Sequence, residues 1–187
     1  MIKRILDFLF ACILLLLFLI PLLILAILIK LTSPGPVLYW SKRVGKNNVL
    51  FKMPKLRSME ISTPQKATHL LINAQDYLTP IGGFIRKYSL DELPQLYSII
   101  IGDMSFIGPR PALFNQYDLI NLRNQKKISG STPGLTGWAQ VMGRDSLSIQ
   151  EKVDLEFFYY NNKTLILDLK IIFKSFKAVL NKLDVKH

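Results

Sequence analysis

Asp91 and Glu92 stand side by side in Ser89-Leu90-Asp91-Glu92-Leu93-Pro94-Gln95, the stretch of the chain best supplied for chemistry. An ionised Asp beside a second carboxylate can attack phosphorus while the pair recruits a hard divalent cation. A structural account competes with this one. Ser89 and Glu92 have the spacing of a capping box, in which Glu92 would only satisfy an amide at a helix start. Pro94 argues for a start at Leu93 instead, because proline prefers the first helical position. Under either account the two acids lie by the positive end of a helix, which favours their ionised forms.

A scattered set of cations forms the second half of the pattern. Lys55 and Arg57 follow one another closely, Arg86 precedes the acidic pair, Arg110 sits in Gly108-Pro109-Arg110-Pro111, and Arg144 follows Gly143. Arginine offers a planar fork to phosphate oxygens and lysine a point charge. Glycines beside Arg110 and Arg144 let backbone come close to a diphosphate. Taken singly, each cation reads as a solvated surface charge. Together, in turns around one acidic pair, they read as a pocket for a phosphorylated ligand. His69 and His187 are too isolated for zinc or triad chemistry.

These groups belong to a chain that begins in oil. Phe8 to Ile29 is uncharged, holds ten Leu, five Ile and three Phe, and carries Pro21 within it. At about 1.5 Å per residue this run reaches about 33 Å, enough for a hydrocarbon core of about 30 Å. Lys3 and Arg4 precede it, while Lys30, Lys42, Arg43 and Lys46 follow. The positive-inside tendency would keep both flanks in the cytoplasm, which a straight span cannot do. Pro21 lacks an amide hydrogen and clashes with the carbonyl of Leu17, so a bend is expected near Ile20-Pro21. A plain span and a re-entrant hairpin both remain open on these residues. A cleaved signal peptide fits poorly, since Leu31-Thr32-Ser33-Pro34 is a weak cleavage site. Cys12, the only cysteine, reads as a small apolar residue within the run.

About 157 residues follow Lys30, enough for one compact domain. The formal charge of +11, from 24 basic and 13 acidic residues, suits anionic lipid, a phosphorylated substrate or nucleic acid. Val37–Val44 and Val49–Met53 read as strands flanking a turn at Gly45-Lys46-Asn47-Asn48. Helices are expected at Ala67–Gln75, Pro80–Lys87, Leu93–Ile101, Ala112–Gln125, Ile149–Tyr160 and Leu165–Leu183. Gly102–Pro111 reads as a loop and Ser129–Gly143 as turns. In the last helix Leu165, Leu169, Ile172, Phe173, Phe176, Val179, Leu180 and Leu183 recur at helical spacing among Lys170, Lys174, Lys177 and Lys182. That stripe is read as core-facing, with a membrane-surface helix as the alternative.

The chain resembles the monotopic phosphoglycosyl transferases, bacterial sugar transferases that begin glycan assembly on a polyprenyl phosphate carrier. The resemblance runs almost end to end. It rests on Ser33-Pro34-Gly35-Pro36, on Phe51 to Met59, on Ser89 to Gln95, on Gly102 to Pro111, and on Pro133-Gly134-Leu135-Thr136-Gly137-Trp138-Ala139-Gln140-Val141. It implies that Asp91 attacks the β-phosphorus of a UDP-sugar, expels UMP and carries the phosphosugar covalently until polyprenyl (undecaprenyl) phosphate takes it. Glu92 would help hold Mg²⁺ with Asp91, and Lys55, Arg86, Arg110 and Arg144 would grip phosphate or nucleotide. The family's N-terminal helix is re-entrant and broken at a proline, which Pro21 matches, so the resemblance favours the hairpin.

The expected fold is therefore α+β: a predominantly helical membrane-anchored domain with a re-entrant helix, a small β-hairpin and amphipathic surface helices. Residues 1–30 would form the membrane hairpin and 31–187 a catalytic domain on the cytosolic face of the bacterial inner membrane, against anionic lipids. Thr132 and Met142 depart from the Arg and Asn that many relatives carry there, which bears on sugar or uridine recognition. A membrane-anchored nucleic-acid binder would suit the charge. The chain nevertheless lacks a helix-turn-helix, zinc spacing or a basic-aromatic stripe, and no nucleic-acid partner is expected. A non-enzymatic scaffold would leave the Gly/Pro/Arg loops without a purpose.

Overall fold

A computed structural model describes residues 2–64, 73–143 and 146–180, with side chains to 178. The chain is α+β. The described residues fall into two compact units, one built from 2–41 and 53–100 and the other from 42–52 and 101–180.

In the first unit, helix α1 (Ile2–Leu17) and helix α2 (Leu19–Thr32) meet at a 59° bend. The break is at Phe18, upstream of the expected Ile20-Pro21. Pro21 occupies the first turn of α2, where a missing amide hydrogen is harmless because that amide has no intrahelical partner anyway. The clash falls on the turn before it, so the first helix stops at Leu17. No single described helix is long and apolar enough to cross a membrane, but the bent pair is, by length and composition.

Most of the pair's apolar surface is bare, with Leu16 74% and Ile20 69% exposed. Leu25 and Ile29 are the exception. They pack with Leu56 and Ile85 in a buried cluster flanked by Val37, Leu38, Ile81 and Leu90. Both ends of the pair are also fastened to the rest of this unit. Arg4 at the start donates to the carbonyls of Ile99 and, at 2.6 Å, Ile100. These carbonyls belong to the C-terminal end of helix α4 (Gln95–Ile101), where backbone oxygens lack helical partners and a cation is favoured.

At the other end Arg57 is buried. It donates to the carbonyl of Pro34 and, at 2.9 Å each, to the carbonyl and hydroxyl of Ser33. Gly35 turns the chain there at φ +114°, and a Cβ at that position would lie 2.6 Å from the Ile61 side chain.

Strands β1 (Leu38–Val44) and β2 (Leu50–Leu56) form the expected hairpin around a short helical turn at Lys46–Asn48, where Asn47 and Asn48 take positive φ. β2 is an edge strand, which is how it tolerates Pro54 within it. Helix α3 (Gly82–Lys87) and α4 fall within the expected helical segments. Most of the Ala67–Gln75 segment lies outside the described residues.

In the second unit, β1 pairs antiparallel with strand β4 (Ala112–Leu113) through Arg43↔Leu113 and Val44↔Ala112. Strand β3 (Ser105–Ile107) pairs parallel with strand β5 (Gly134–Thr136). Three sequence expectations are corrected here. The loop 102–111 contains β3, the helix expected from Ala112 begins only at Tyr117 as α5 (Tyr117–Gln125), and the turns 129–143 contain β5 and helix α6 (Trp138–Met142). The short strands carry too few residues to show alternation, and their pairing is non-local. Helix α7 (Ile149–Asn161) and helix α8 (Leu165–Leu180) are where they were expected.

Ile107, Tyr159 and Ile171 form a buried cluster in this unit. The α8 stripe expected to face a core is bare instead, with Leu165, Leu169, Ile172, Phe173 and Phe176 all exposed. The helix buries Ile171, and Ser175 bonds to Thr136 across 2.6 Å, so its inward face is another one.

Candidate active site

The acidic pair lies in a short 3-10 turn, Leu90–Glu92, that leads through Leu93 and Pro94 into α4. Ser89 takes left-handed φ 56°, ψ 24°, and its side chain makes no capping bond. A capping serine needs extended backbone to bring its hydroxyl back to the third helical amide. The capping-box account of Ser89 and Glu92 therefore fails. The same Ser-x-x-Glu spacing does form a box at α7, where Ser148 accepts from the Glu151 amide and Glu151 accepts from the Ser148 amide.

Released from capping, Glu92 turns to Lys55. The Lys55 ammonium lies 3.0 Å from Glu92 Oε1 and 3.3 Å from Asp91 Oδ2. The three side chains are 15%, 15% and 10% exposed for Lys55, Glu92 and Asp91. Lys55 projects from β2, and Leu56 beside it enters the core cluster. The strand is thus pinned next to the residue that meets the acids. One ammonium bridges both carboxylates in a largely dehydrated place, where charge interactions are stronger than in bulk water.

Arg86 is half-buried on α3, in the same unit, and its carbonyl accepts from the Ser89 amide at 3.0 Å. Arg110 lies in the second unit, just before β4. Arg144, His69 and His187 lie outside the described residues. Arg57, counted among the sequence's cations, is committed to Ser33 and Pro34 and serves the turn after α2.

No motif or spacing in the sequence points to the Arg123–Glu156 pair. Arg123 Nε and Nη2 reach Glu156 at 2.8 and 2.6 Å, and both residues are buried. They stand 33 positions apart on two separate helices, and such a non-local pair leaves no local pattern.

The donor set bears on magnesium. Among the described residues no group of three or more His, Cys, Asp or Glu is gathered. An all-protein metal cage is therefore missing from that part of the chain. Two adjacent carboxylates do suit Mg²⁺, which keeps waters and completes its shell with substrate phosphates.

A family profile described as bacterial sugar transferase matches residues 1–182. The UDP-N-acetylgalactosamine-undecaprenyl-phosphate N-acetylgalactosaminephosphotransferase of Aeromonas hydrophila is 39% identical over 96% of this chain and 44% of its own length. The UDP-glucose:undecaprenyl-phosphate glucose-1-phosphate transferase of Escherichia coli (strain K12) is 37% identical over 97% of this chain and 41% of its own. The chain thus spans about two fifths of those two proteins. It matches 85% of the exopolysaccharide production protein ExoY of Rhizobium meliloti (strain 1021), at 36% identity over 96% of this chain. With nearly every residue matched by that profile, the chain belongs to the bacterial sugar transferase family.

Proposed function

We propose that the chain moves a sugar-1-phosphate from a UDP-sugar to undecaprenyl phosphate, releasing UMP. The observation that carries this reading is the Lys55 bridge across Asp91 and Glu92, in a chain whose relatives are named for such transfers. An Asp91 oxygen attacks the β-phosphorus, and the bond from that phosphorus to the bridging oxygen breaks. UMP departs with the bridging oxygen and its electron pair. The enzyme keeps a mixed anhydride of Asp91 with the sugar phosphate. A phosphate oxygen of the carrier then attacks the same phosphorus and expels the Asp91 carboxylate, giving the diphosphate-linked sugar. No proton changes hands in either step.

Attack of a carboxylate on an anionic diphosphate is opposed by charge, so the cations set the rate. Lys55 holds the nucleophile in place and offsets its charge until the donor arrives. Arg86, Arg110 and Arg144 are assigned to the phosphates and nucleotide. Asp91 and Glu92 would hold Mg²⁺, which when bound neutralises phosphoryl oxygens.

The bent pair α1–α2 is read as a re-entrant membrane hairpin covering residues 1–30, with 31–187 on the cytosolic face of the inner membrane. Support comes from the attachment of both its ends to the same compact unit, through Arg4 and through Arg57. The bare α8 stripe, interleaved with Lys170, Lys174 and Lys177, is read as lying against anionic lipid.

The deciding experiment incubates the purified chain with each of several UDP-sugars, with and without undecaprenyl phosphate. UMP release and a phosphosugar mass on Asp91 in donor-only samples are expected. Carrier-dependent turnover in which no such adduct can be trapped would remove the covalent route.

A further inference from the structure

The segment Gly108-Pro109-Arg110-Pro111 is held by its backbone at every residue. The Gly108 amide donates to the Thr136 carbonyl at 2.9 Å, and the Pro109 carbonyl accepts from the Gly134 amide at 2.9 Å. The Arg110 carbonyl accepts from Arg123 Nη2 at 2.9 Å, and the Pro111 carbonyl accepts from Arg43 Nη1 at 3.1 Å. Gly108 and Gly134 approach so closely that a Cβ on Gly134 would sit 2.1 Å from the Gly108 nitrogen.

Of these four anchors, the one on Arg110 itself is made by a buried charge. Arg123 is 9% exposed and Glu156 5%. The pair is bidentate, at 2.8 and 2.6 Å, and the nitrogen at the shorter contact also serves the Arg110 carbonyl. A buried ion pair is weak support for stability, since apolar residues of similar volume often do as well. It does fix geometry. The guanidinium plane is oriented by both oxygens of Glu156, leaving Nη2 one direction in which to donate.

We propose that Arg123, oriented by Glu156, is a positioning residue that presents Arg110 to the phosphorylated donor. The proposal rests on the assignment of Arg110 to the donor phosphates. With the Arg110 backbone fixed, less conformational freedom remains to be lost when its side chain engages a phosphate, and that engagement is worth most in the transition state. Lysine at position 123 keeps the charge but lacks the planar fork that meets both Glu156 oxygens while holding a third donor on Arg110.

The test uses the full chain in lipid nanodiscs, comparing R123K, E156Q, R110A and the double variant R110A/R123K. Steady-state turnover is measured alongside amide hydrogen exchange of the segment 108–114. R123K and E156Q are expected to lower kcat by on the order of tenfold to a hundredfold with little change in the donor KM. Faster exchange is expected in that segment, with protection of α7 retained. In the R110A background, R123K is expected to add less than about twofold, because its effect passes through Arg110.

A full additional loss in the R110A background overturns the proposal, since the pair would then act on the fold at large. Unchanged exchange in both R123K and E156Q overturns the clamp while leaving the role of Arg110 intact. Unimpaired turnover in R110A instead removes Arg110 from the donor site, and the positioning role falls with it. Should R123K fail to fold, E156Q/R110A against E156Q closes the same cycle.

Discussion

Glu92 points its carboxylate at Lys55, 3.0 Å away, and not back towards Ser89. The difference is set by one backbone angle. Ser89 at φ 56° cannot aim its hydroxyl as Ser148 does, at φ −62°, in the box that opens α7. The same local spacing serves a helix start in one place and leaves a pair of acids available in the other.

Asp91→Asn is therefore expected to leave the protein folded, with the Lys55–Glu92 contact intact. It should lower UMP release by at least about 10³-fold, as loss of a nucleophile does. A steady-state assay giving near wild-type rates would take the nucleophile's role from Asp91.

Lys55→Met takes the shared ammonium away from two carboxylates in a site where their side chains are 10% and 15% exposed. Stability should fall by about 3–5 kcal/mol, the cost of stripping one partner from a buried ion pair. Turnover should fall with it, and Lys55→Arg should recover much of the stability. Denaturant titration of the three proteins checks the order. A Met variant as stable as wild type would mean the ammonium contributes little to holding the acids.

Gly35→Ala and Arg57→Met strike the same turn from two sides. The first forces a side chain into φ +114° against Ile61, at about 1–3 kcal/mol. The second leaves the Ser33 and Pro34 carbonyls without their donor, at about 1–3 kcal/mol. Because both changes act on one turn, their sum should fall short of additive. Strict additivity in thermal or denaturant unfolding would separate them.

The hairpin reading predicts that Ile2 and Ile61 face the same aqueous compartment. Single cysteines at these positions, in a Cys12→Ser chain, should react alike with an impermeant maleimide in sealed vesicles. Labelling from opposite sides would establish a span.

The Glu151 carboxyl is held below its ordinary value of 4.5, first by the Ser148 hydroxyl and then by the Ser148 amide. A depressed carboxylate stabilises the fold above its unfolded pKa, and that contribution is lost as pH falls through the folded value. Wild type should therefore hold an advantage over Glu151→Gln at neutral pH that shrinks below pH 4.5. Exchange protection at the start of α7 across that range tests it, and an advantage unchanged at low pH would contradict it.

Much of this arrangement could be read from residue order. The hairpin around Gly45–Asn48 follows from turn residues between apolar runs, and α7 and α8 from helical periodicity. Asp91, Glu92 and Lys55 were legible as types, and the structure adds that one ammonium joins both acids. What could not be read is non-local. β3 and β5 are three residues each and pair across almost thirty positions. The most apolar stripe of α8 is the outward one, so only packing reveals that Ile171 is buried while Phe173 is bare. The break at Phe18 was misplaced because a proline disturbs the turn ahead of it more than its own.

Leu25 and Ile29 share a buried cluster with Leu56 and Ile85, so the helix pair proposed to enter the membrane is also a piece of the protein's interior. Trimming the first thirty residues to obtain a water-soluble fragment would strip the lid from that cluster. It would also release Ile99 and Ile100 from Arg4, at the far end of the helix that follows the acids. Solubilisation has to be sought in the choice of amphiphile, since truncation would cost the chain its shape.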